Sequence, residues 1–507
     1  MKLRSLLIVS SILLLVACSS PSLRTDLPRP ELSQASAEAE SGILAKIAAD
    51  IRLQHGNDAS GFRLLDGSEE ALEWRLALID SAVSSLDIQT YLWYPDDSGT
   101  LLLERVVEAA NRGVRVRLIV DDLLTIGLGQ LMYELQNHPN IEFRIFNPWK
   151  ERGVLSRAGA FLVEMERLNR RMHDKLMVAD GVAAIVGGRN IGDHYFGLSD
   201  AYNFHDLDLL GFGAIGAQAS GMFDSFWNSE WVVSAGNLDT EPDPVFARKK
   251  WDRIRARNRS SARMKRFAEK PQSWEPELKT LVDQLYPGTS RLVYDTAVHE
   301  GIAQNVAANI FGIMGSAQEE LLITNAYIIP AQPAIDLIRD LTDRGVKVRI
   351  LTNSLATHDV PAVNSHYKPW RDDLILAGAE LHELRPDAAI RSLVGIPPVQ
   401  GEFVGLHTKS FVVDRKRVFI GSMNLDPRSF NINAEAGVVV ESPGLGQALA
   451  KVMERDMSPQ NAWQVKLDAG GNLYWEDDQG VLEEQPARNM GQRIQDVIFE
   501  AFPREQY

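Results

Sequence analysis

The chain has 507 residues, 45% hydrophobic and 24% charged, which is enough apolar material for one large core or two ordinary ones. Its formal charge of −15 argues against DNA or another polyanion as the main partner, because nucleic-acid binding depends on a basic surface that neutralises phosphates. A single cysteine excludes a disulfide framework.

Residues 1–17 read as a secretory signal: Lys2 and Arg4 precede an apolar run from Leu6 to Val16, shorter than the roughly 20 residues that cross a bilayer. The run ends in Leu15-Val16-Ala17-Cys18, which resembles the bacterial lipobox, where the cysteine is acylated and becomes the mature N-terminus. Cleavage there removes Lys2 and Arg4 and takes the charge from −15 to −17. Several acyl chains on Cys18 would hold the protein stably to a membrane. Ser19 fits sorting outward, so the expectation is an exported lipoprotein facing the periplasm, at the outer rather than the inner membrane. Residues 18–60 are expected to be the acylated cysteine and a tether, the stretch 19–41 being rich in Ser, Pro, Ala and Glu.

Residues 61–240 form a first unit. Leu72, Leu76, Ile79 and Val83 mark one helical face, a strand from Leu86 to Leu92 runs on to Pro95, and Arg112-Gly113 closes a second helix before a strand ending at Val120. The stretch Lys150 to Arg171 mixes basic residues with Leu155, Phe161, Leu162 and Val163. That mixture suits a surface among lipid headgroups and equally an ordinary amphipathic helix. Next comes His173-Asp174-Lys175, with Asp180, a turn at Gly181, a strand from Val182 to Val186, then Gly187-Gly188-Arg189-Asn190 and, farther on, Asp206.

Residues 241–290 read as a basic linker. Arg248 to Arg266 holds ten Lys or Arg and only Asp252 as an acid, interleaved with Trp251, Ile254 and Met264. Attraction to anionic lipid and a solvated linker are both open, while the net charge gives a nucleic-acid groove no support.

Residues 291–445 repeat the first unit. A strand from Leu321 to Asn325 runs to Pro330, and Arg112-Gly113-Val114-Arg115-Val116 recurs in this half as Arg344-Gly345-Val346-Lys347-Val348. Then come His407-Thr408-Lys409, Asp414, a strand Val418 to Ile420, Gly421-Ser422-Met423-Asn424, and Glu435. Residues 446–507 carry a hairpin, Trp463–Leu467 with Leu473–Trp475, and a helix from Met490 to Phe499 that would cap the second half. Strand, helix and strand in this order predict βαβ units and a parallel-rich sheet, so the fold class is α/β, duplicated.

The matched spacing carries the chemistry. In both copies Lys stands second, Asp seventh and Asn seventeenth after the His, and His173 and His407 are separated by nearly the same offset as Arg112 and Arg344. A period of two on an extended strand puts His and Lys on one face, where both reach one anion.

This pattern resembles the phospholipase D superfamily, over most of the chain from about residue 68. Two motifs in one chain resemble its pseudo-dimeric branch, two pseudo-symmetric βα sandwich halves sharing one central active site. The runs Tyr91-Leu92-Trp93, Asn169-Arg170-Arg171-Met172, Gly188-Arg189-Asn190-Ile191-Gly192-Asp193 and Asn424-Leu425-Asp426-Pro427-Arg428-Ser429 look like bacterial cardiolipin synthases of the C-type. The resemblance implies a catalytic set of His173, Lys175, Asp180, His407, Lys409 and Asp414. His173 would take the phosphoryl group as a phosphohistidine and His407 would protonate the leaving alcohol, although the residues by themselves leave open which histidine attacks. Chemistry of this kind needs one imidazole neutral and the other protonated.

Lys175, Lys409, Asn190 and Asn424 would hold the non-bridging oxygens, with Gly188 and Ser422 beside them at the substrate. Asp206 and Glu435, downstream of His173 and His407 respectively, would orient the imidazoles; Asp180 and Asp414 sit at hairpin turns where a structural role competes with a catalytic one. No metal or other cofactor is implied. The expected activity is phosphatidyl transfer that makes cardiolipin from phosphatidylglycerol and phosphatidylethanolamine. The alternatives are a phospholipase D releasing phosphatidic acid and, behind it, a nuclease or a non-catalytic lipoprotein. The expected partners are phospholipids and, through acylated Cys18, a membrane; no nucleic acid is expected.

Overall fold

A computed structural model describes residues 26–123, 132, 135–150, 164–238, 244–269 and 271–502. The signal segment, Cys18 and the apolar part of the Lys150 to Arg171 stretch, including Leu155, Phe161, Leu162 and Val163, lie outside the described residues.

The first half opens with helix α1 (Ile43–His55), strand β1 (Ala59–Leu65) and helix α2 (Ser68–Ser81). On α2, Leu72, Leu76 and Ile79 share the buried face, as their spacing predicts. Val83 does not join them: the helix has ended, and its side chain is 51% exposed. Next come β2 (Ser85–Thr90), α3 (Asp97–Asn111), β3 (Arg115–Asp121) and β4 (Ile141–Phe146), then β5 (Leu176–Ala179), β6 (Ala183–Gly187), β7 (Tyr202–His205), β8 (Asp208–Gly213), α4 (Ala214–Trp227) and β9 (Val232–Ser234). Asp96 caps α3 by accepting from the Gly99 amide, and the glycine that stops that helix, Gly113, has φ +98°.

After helix α5 (Pro244–Ser260) the second half supplies β10 (Tyr286–Tyr294), β11 (Glu320–Asn325), α6 (Gln332–Asp343), β12 (Lys347–Asn353), β13 (Glu380–Leu384), β14 (Phe403–Leu406), β15 (Lys409–Val413), β16 (Arg417–Gly421), β17 (Ala436–Glu441), α7 (Pro443–Asp456) and β18 (Ala462–Leu467). A hairpin to Leu473–Asp477 and helix α8 (Met490–Phe499) follow, as the sequence indicates.

Pairing turns the sequence repeat into a pseudo-two-fold. One half runs β9-β4-β3-β2-β5-β6-β8-β1 and the other β18-β13-β12-β11-β15-β16-β17-β10, position for position, and β1 joins β10 antiparallel with Phe62 opposite Tyr286. The βαβ units β2-α3-β3 and β11-α6-β12 are parallel as expected, but parallel pairing in this sheet stops at β2-β3-β4 and β11-β12-β13. The motif hairpins make the rest antiparallel, so the sheet is mixed. Helices α4 and α7 pack against the joined sheet through Phe223, Phe226, Trp227, Leu449 and Met453 in one core that draws on both halves.

Two expected connectors are parts of the body. From Arg29 the supposed tether lies along the first half, where Ser33 and Ala35 amides donate to Asn228 and Asp224 and the Ala39 amide donates to the Asp180 carbonyl. Helix α1 then buries Leu44, Ile47, Ala48 and Ile51. The basic linker is helical, with Ile254, Met264 and Phe267 in the first core while arginines such as Arg253, Arg255 and Arg257 stay exposed. Among the described residues no helix is long and apolar enough to cross a membrane.

Candidate active site

Each histidine lies on an extended segment that pairs with the opposite half. The His173 amide donates to the Ala434 carbonyl at 2.8 Å, and the Ala434 amide donates to the Arg171 carbonyl at 2.8 Å. In the related place β14 runs parallel to β7, and the His407 amide donates to the His205 carbonyl at 2.8 Å. Ala434 immediately precedes Glu435 and His205 immediately precedes Asp206, so each histidine is laid beside the acid of the other half. His173 Nδ1 is 2.9 Å from Glu435 Oε2, and His407 Nδ1 is 2.6 Å from Asp206 Oδ2. The acids do orient the imidazoles, but the pairing is crossed: neither carboxylate serves the histidine that precedes it in its own motif.

Both carboxylates are completely buried and heavily supported. Ser422 Oγ donates to Glu435 Oε2 at 2.5 Å, Asn433 donates to Oε1 at 3.3 Å, and the Glu435 amide donates to Asp295 at 3.0 Å. Asp206 Oδ1 accepts from the Leu207 amide at 2.8 Å, and the buried guanidinium of Arg189 donates to the Asp206 carbonyl. At Gly188, the counterpart of Ser422, a Cβ would come within 2.3 Å of Asp206 Oδ1. Gly188 and Ser422, expected beside the substrate, lie against the acids that hold the histidines: one makes room for Asp206 and the other donates to Glu435.

Burial depresses His173 to about 4; Glu435 opposes this, and the Lys175 and Lys409 ammonium groups reinforce it. His407 falls to about 3, again through burial first and then Lys409, against Asp206. Burial would raise Asp206, but His407, Lys409 and Arg189 outweigh it and hold the carboxyl at about 2; Glu435 is likewise held low by His173 and Lys175. Both imidazoles are therefore neutral before a phosphate arrives. With Nδ1–H donated to a carboxylate, the opposite ring nitrogen, Nε2, carries the lone pair. Burial also lowers Lys175 to about 7 and Lys409 to about 8. Each ammonium folds back onto the carbonyl of its own histidine. An anion arriving between the two lysines would favour their charged forms and supply the negative charge that holds them protonated.

Asp180 and Asp414 stand elsewhere. Asp180 accepts from the amides of Val83, Ser84 and Ser85, and Asp414 from those of Gln318, Glu319 and Glu320. They are at the far ends of β5 and β15, roughly 20 Å of extended chain from their histidines, and they contact no imidazole; their place is structural, not catalytic. Asn190 is also engaged, accepting from the Leu92 amide and donating to the Tyr195 hydroxyl. Asn424 is buried with Oδ1 unpaired among the described residues, so of the two it is the one left free to turn to a ligand.

Motif spacing gives no sign of the rings around the site. Tyr91 meets His173 edge-on with centroids 5.0 Å apart, and Tyr195 meets His407 in the same way at 5.2 Å. Lys175 and Lys409 lie over Tyr91 and Tyr327, 5.4 and 5.8 Å from their centroids. Of these rings only Tyr91 falls in a run that the sequence singles out. Asp174, between His173 and Lys175, is wholly buried, held by Gln89 at 3.0 Å, and pushed well above the usual carboxylate range by burial.

Comparison with known proteins agrees with this geometry. A family model described as cardiolipin synthase, PLD-like domain, matches residues 76–208 and 310–457, one segment in each half. The chain is 36% identical over 476 residues to cardiolipin synthase C of Escherichia coli (strain K12), covering 91% of this chain and 99% of that protein. It is 25% identical over 394 residues to cardiolipin synthase 1 of Bacillus anthracis, covering 75% and 62%. Among solved structures, the phosphatidylserine synthase of Haemophilus influenzae Rd KW20 aligns over 82% of this chain and 89% of its own, with a TM-score of 0.53 at 15% identity, a likeness of fold.

Proposed function

Because the chain belongs to the family of cardiolipin synthases with PLD-like domains, we propose that it is a phosphatidyltransferase that makes cardiolipin, working through the crossed His173–Glu435 and His407–Asp206 pairs. Those pairs are the observation that carries the reading: two neutral imidazoles, each tied at Nδ1, with two lysines whose charge an anion would complete.

His173 Nε2 attacks phosphorus of the donor lipid, forming a P–N bond while the P–O bond to the headgroup alcohol breaks. His407, protonated at Nε2 once the phosphodiester charge is bound, gives that proton to the departing oxygen. The terminal hydroxyl of phosphatidylglycerol then attacks phosphorus, returns a proton to His407 and releases His173. Glu435 and Asp206 stabilise the positive charge that forms on each ring, and Lys175 and Lys409 stabilise the charge on the non-bridging oxygens. Phosphatidylethanolamine as donor and phosphatidylglycerol as acceptor are the substrates that the C-type resemblance of the motif runs favours. The lipobox at Cys18 supports placing this chemistry on an exported lipoprotein, facing the periplasm and held at the outer membrane.

Mixed vesicles of labelled phosphatidylglycerol and phosphatidylethanolamine test the reading. Cardiolipin is expected with the wild type and absent with His407→Ala. Phosphatidic acid alone would make the protein a hydrolase, and no product from either lipid would end the lipid assignment.

A further inference from the structure

An apolar cavity of about 250 Å³ lies in the first half, between the face of β3 and β4 and helices α3 and α5. Leu103 of α3, Leu118 and Val120 of β3, and Phe143 of β4 line it, and α5 closes one side with Ile254. One of its walls is Tyr91, whose ring meets His173 edge-on with centroids 5.0 Å apart, so one ring stands between the cavity and the histidine. Its charged lining is Asp121, already bound to Arg171 at 3.1 Å, and the exposed Arg253 and Arg257 of α5.

The second half has the same place in its fold. Ile350 of β12 stands where Leu118 stands in β3, and Ile328 and Pro330 stand where Trp93 and Pro95 do. Packing around Phe311, Phe430 and Leu374 leaves that space at about 40 Å³. The pseudo-two-fold is therefore broken beside the histidines, with room on the His173 side alone of these two equivalent places.

We propose that the larger cavity receives one fatty-acyl chain of the phospholipid whose phosphate is attacked by His173. The proposal rests on the phosphatidyl-transfer reading and adds to it a determinant of which lipid, and which part of it, is bound. A dry cavity of about 150 Å³ holds benzene, so 250 Å³ accommodates roughly ten chain carbons. The lining is predominantly apolar, and of its polar side chains Asp121 is paired with Arg171 while Trp93 and Thr100 donate to the Gly99 and Asp96 carbonyls; a methylene chain needs no polar partner. The arginines of α5 suit an entrance facing anionic lipid.

The experiment uses monomeric phosphatidylglycerol and phosphatidylethanolamine with acyl chains of four to eight carbons. Transfer from water into an apolar site is worth about fourfold in affinity per methylene, so wild-type kcat/KM is expected to climb two- to fourfold per added carbon. Val120→Phe fills the cavity and is expected to flatten that slope. Equal slopes in both proteins, or a flat wild-type slope, overturn the proposal. A readout independent of turnover uses phosphatidylethanolamine, the donor, carrying a diazirine on its acyl chain. Adducts are expected in the peptides that contain Leu103, Leu118 and Phe143, and are expected to disappear in Val120→Phe; adducts elsewhere overturn the proposal even if transfer is normal. Adducts in the cavity without turnover of any lipid would instead overturn the transfer reading and leave the lipid site standing.

Discussion

Among single residues, the crossed carboxylates separate two roles that the motif spacing treats as equivalent. Each acid sits 2.6–2.9 Å from the Nδ1 of a histidine in the other half, so damage to an acid should reproduce the loss of that histidine. Glu435→Gln and Asp206→Asn keep the shape but remove the charge that stabilises a protonated ring, and each is expected to lower kcat by roughly 10²–10⁴-fold. A phosphatidyl ester of p-nitrophenol needs no acid for departure. In the burst of p-nitrophenol release, which reports the attack by His173 alone, Asp206→Asn and His407→Ala are expected to recover most of their rate while Glu435→Gln and His173→Ala do not. Recovery of Glu435→Gln together with His407→Ala would restore the uncrossed pairing. The acids were legible through the family resemblance, but their partners were not, because partnership is set by the β7–β14 and Met172–Ala434 pairings across the interface.

One level up, among the elements, the motif aspartates fasten one strand to the next. Asp180 and Asp414 adopt φ of +57° and +49°, a left-handed turn that aspartate tolerates better than most side chains, and there they gather the amides that open β2 and β11. Asp180→Ala strands amides of Val83, Ser84 and Ser85 and is expected to cost about 2–3 kcal/mol, read as a lower midpoint in urea. The kcat of the protein that remains folded should stay within about tenfold. A fall of a thousandfold at unchanged stability would return Asp180 to the chemistry. Element packing also explains Gly188 and Ser422: their position next to the asparagines points to the substrate, but a close approach of β6 and β16 to the acids decides what fits there. The helices and strands themselves were legible to within a few residues wherever apolar period was strong. Val83 departs from its expected place because it continues the helical period past the helix end. The basic linker does so because Ile254, Met264 and Phe267 find a core that charge composition does not announce.

For the molecule as a whole, buried neutral histidines make stability depend on pH: His173 and His407 at the site, and His358 and His382 elsewhere, which burial likewise depresses to about 3 and about 4. Each ring titrates near 6.5 when unfolded and at about 4 or about 3 when folded, so between those values the unfolded chain binds more protons. Stability from this source is complete above pH 6.5 and is lost as the pH falls, by about 2 kcal/mol per histidine at pH 5. His173→Gln/His407→Gln is expected to reduce by about half the decline in unfolding free energy between pH 6.5 and 5, measured by urea denaturation, His358 and His382 carrying the rest; an unchanged decline would show that the two site rings are not a source.

Duplication, the α/β class and the two His-Lys pairs are legible in the bare order of residues, because spacing and period are local properties that survive in one dimension; the acids Asp206 and Glu435 come only with the family resemblance. Which acid serves which histidine, that the aspartates hold strands rather than react, and that one half keeps a cavity which the other fills emerge only once the chain is folded. Those are matters of approach between segments up to 262 residues apart, fixed by strand pairing and side-chain volume across the joined sheet.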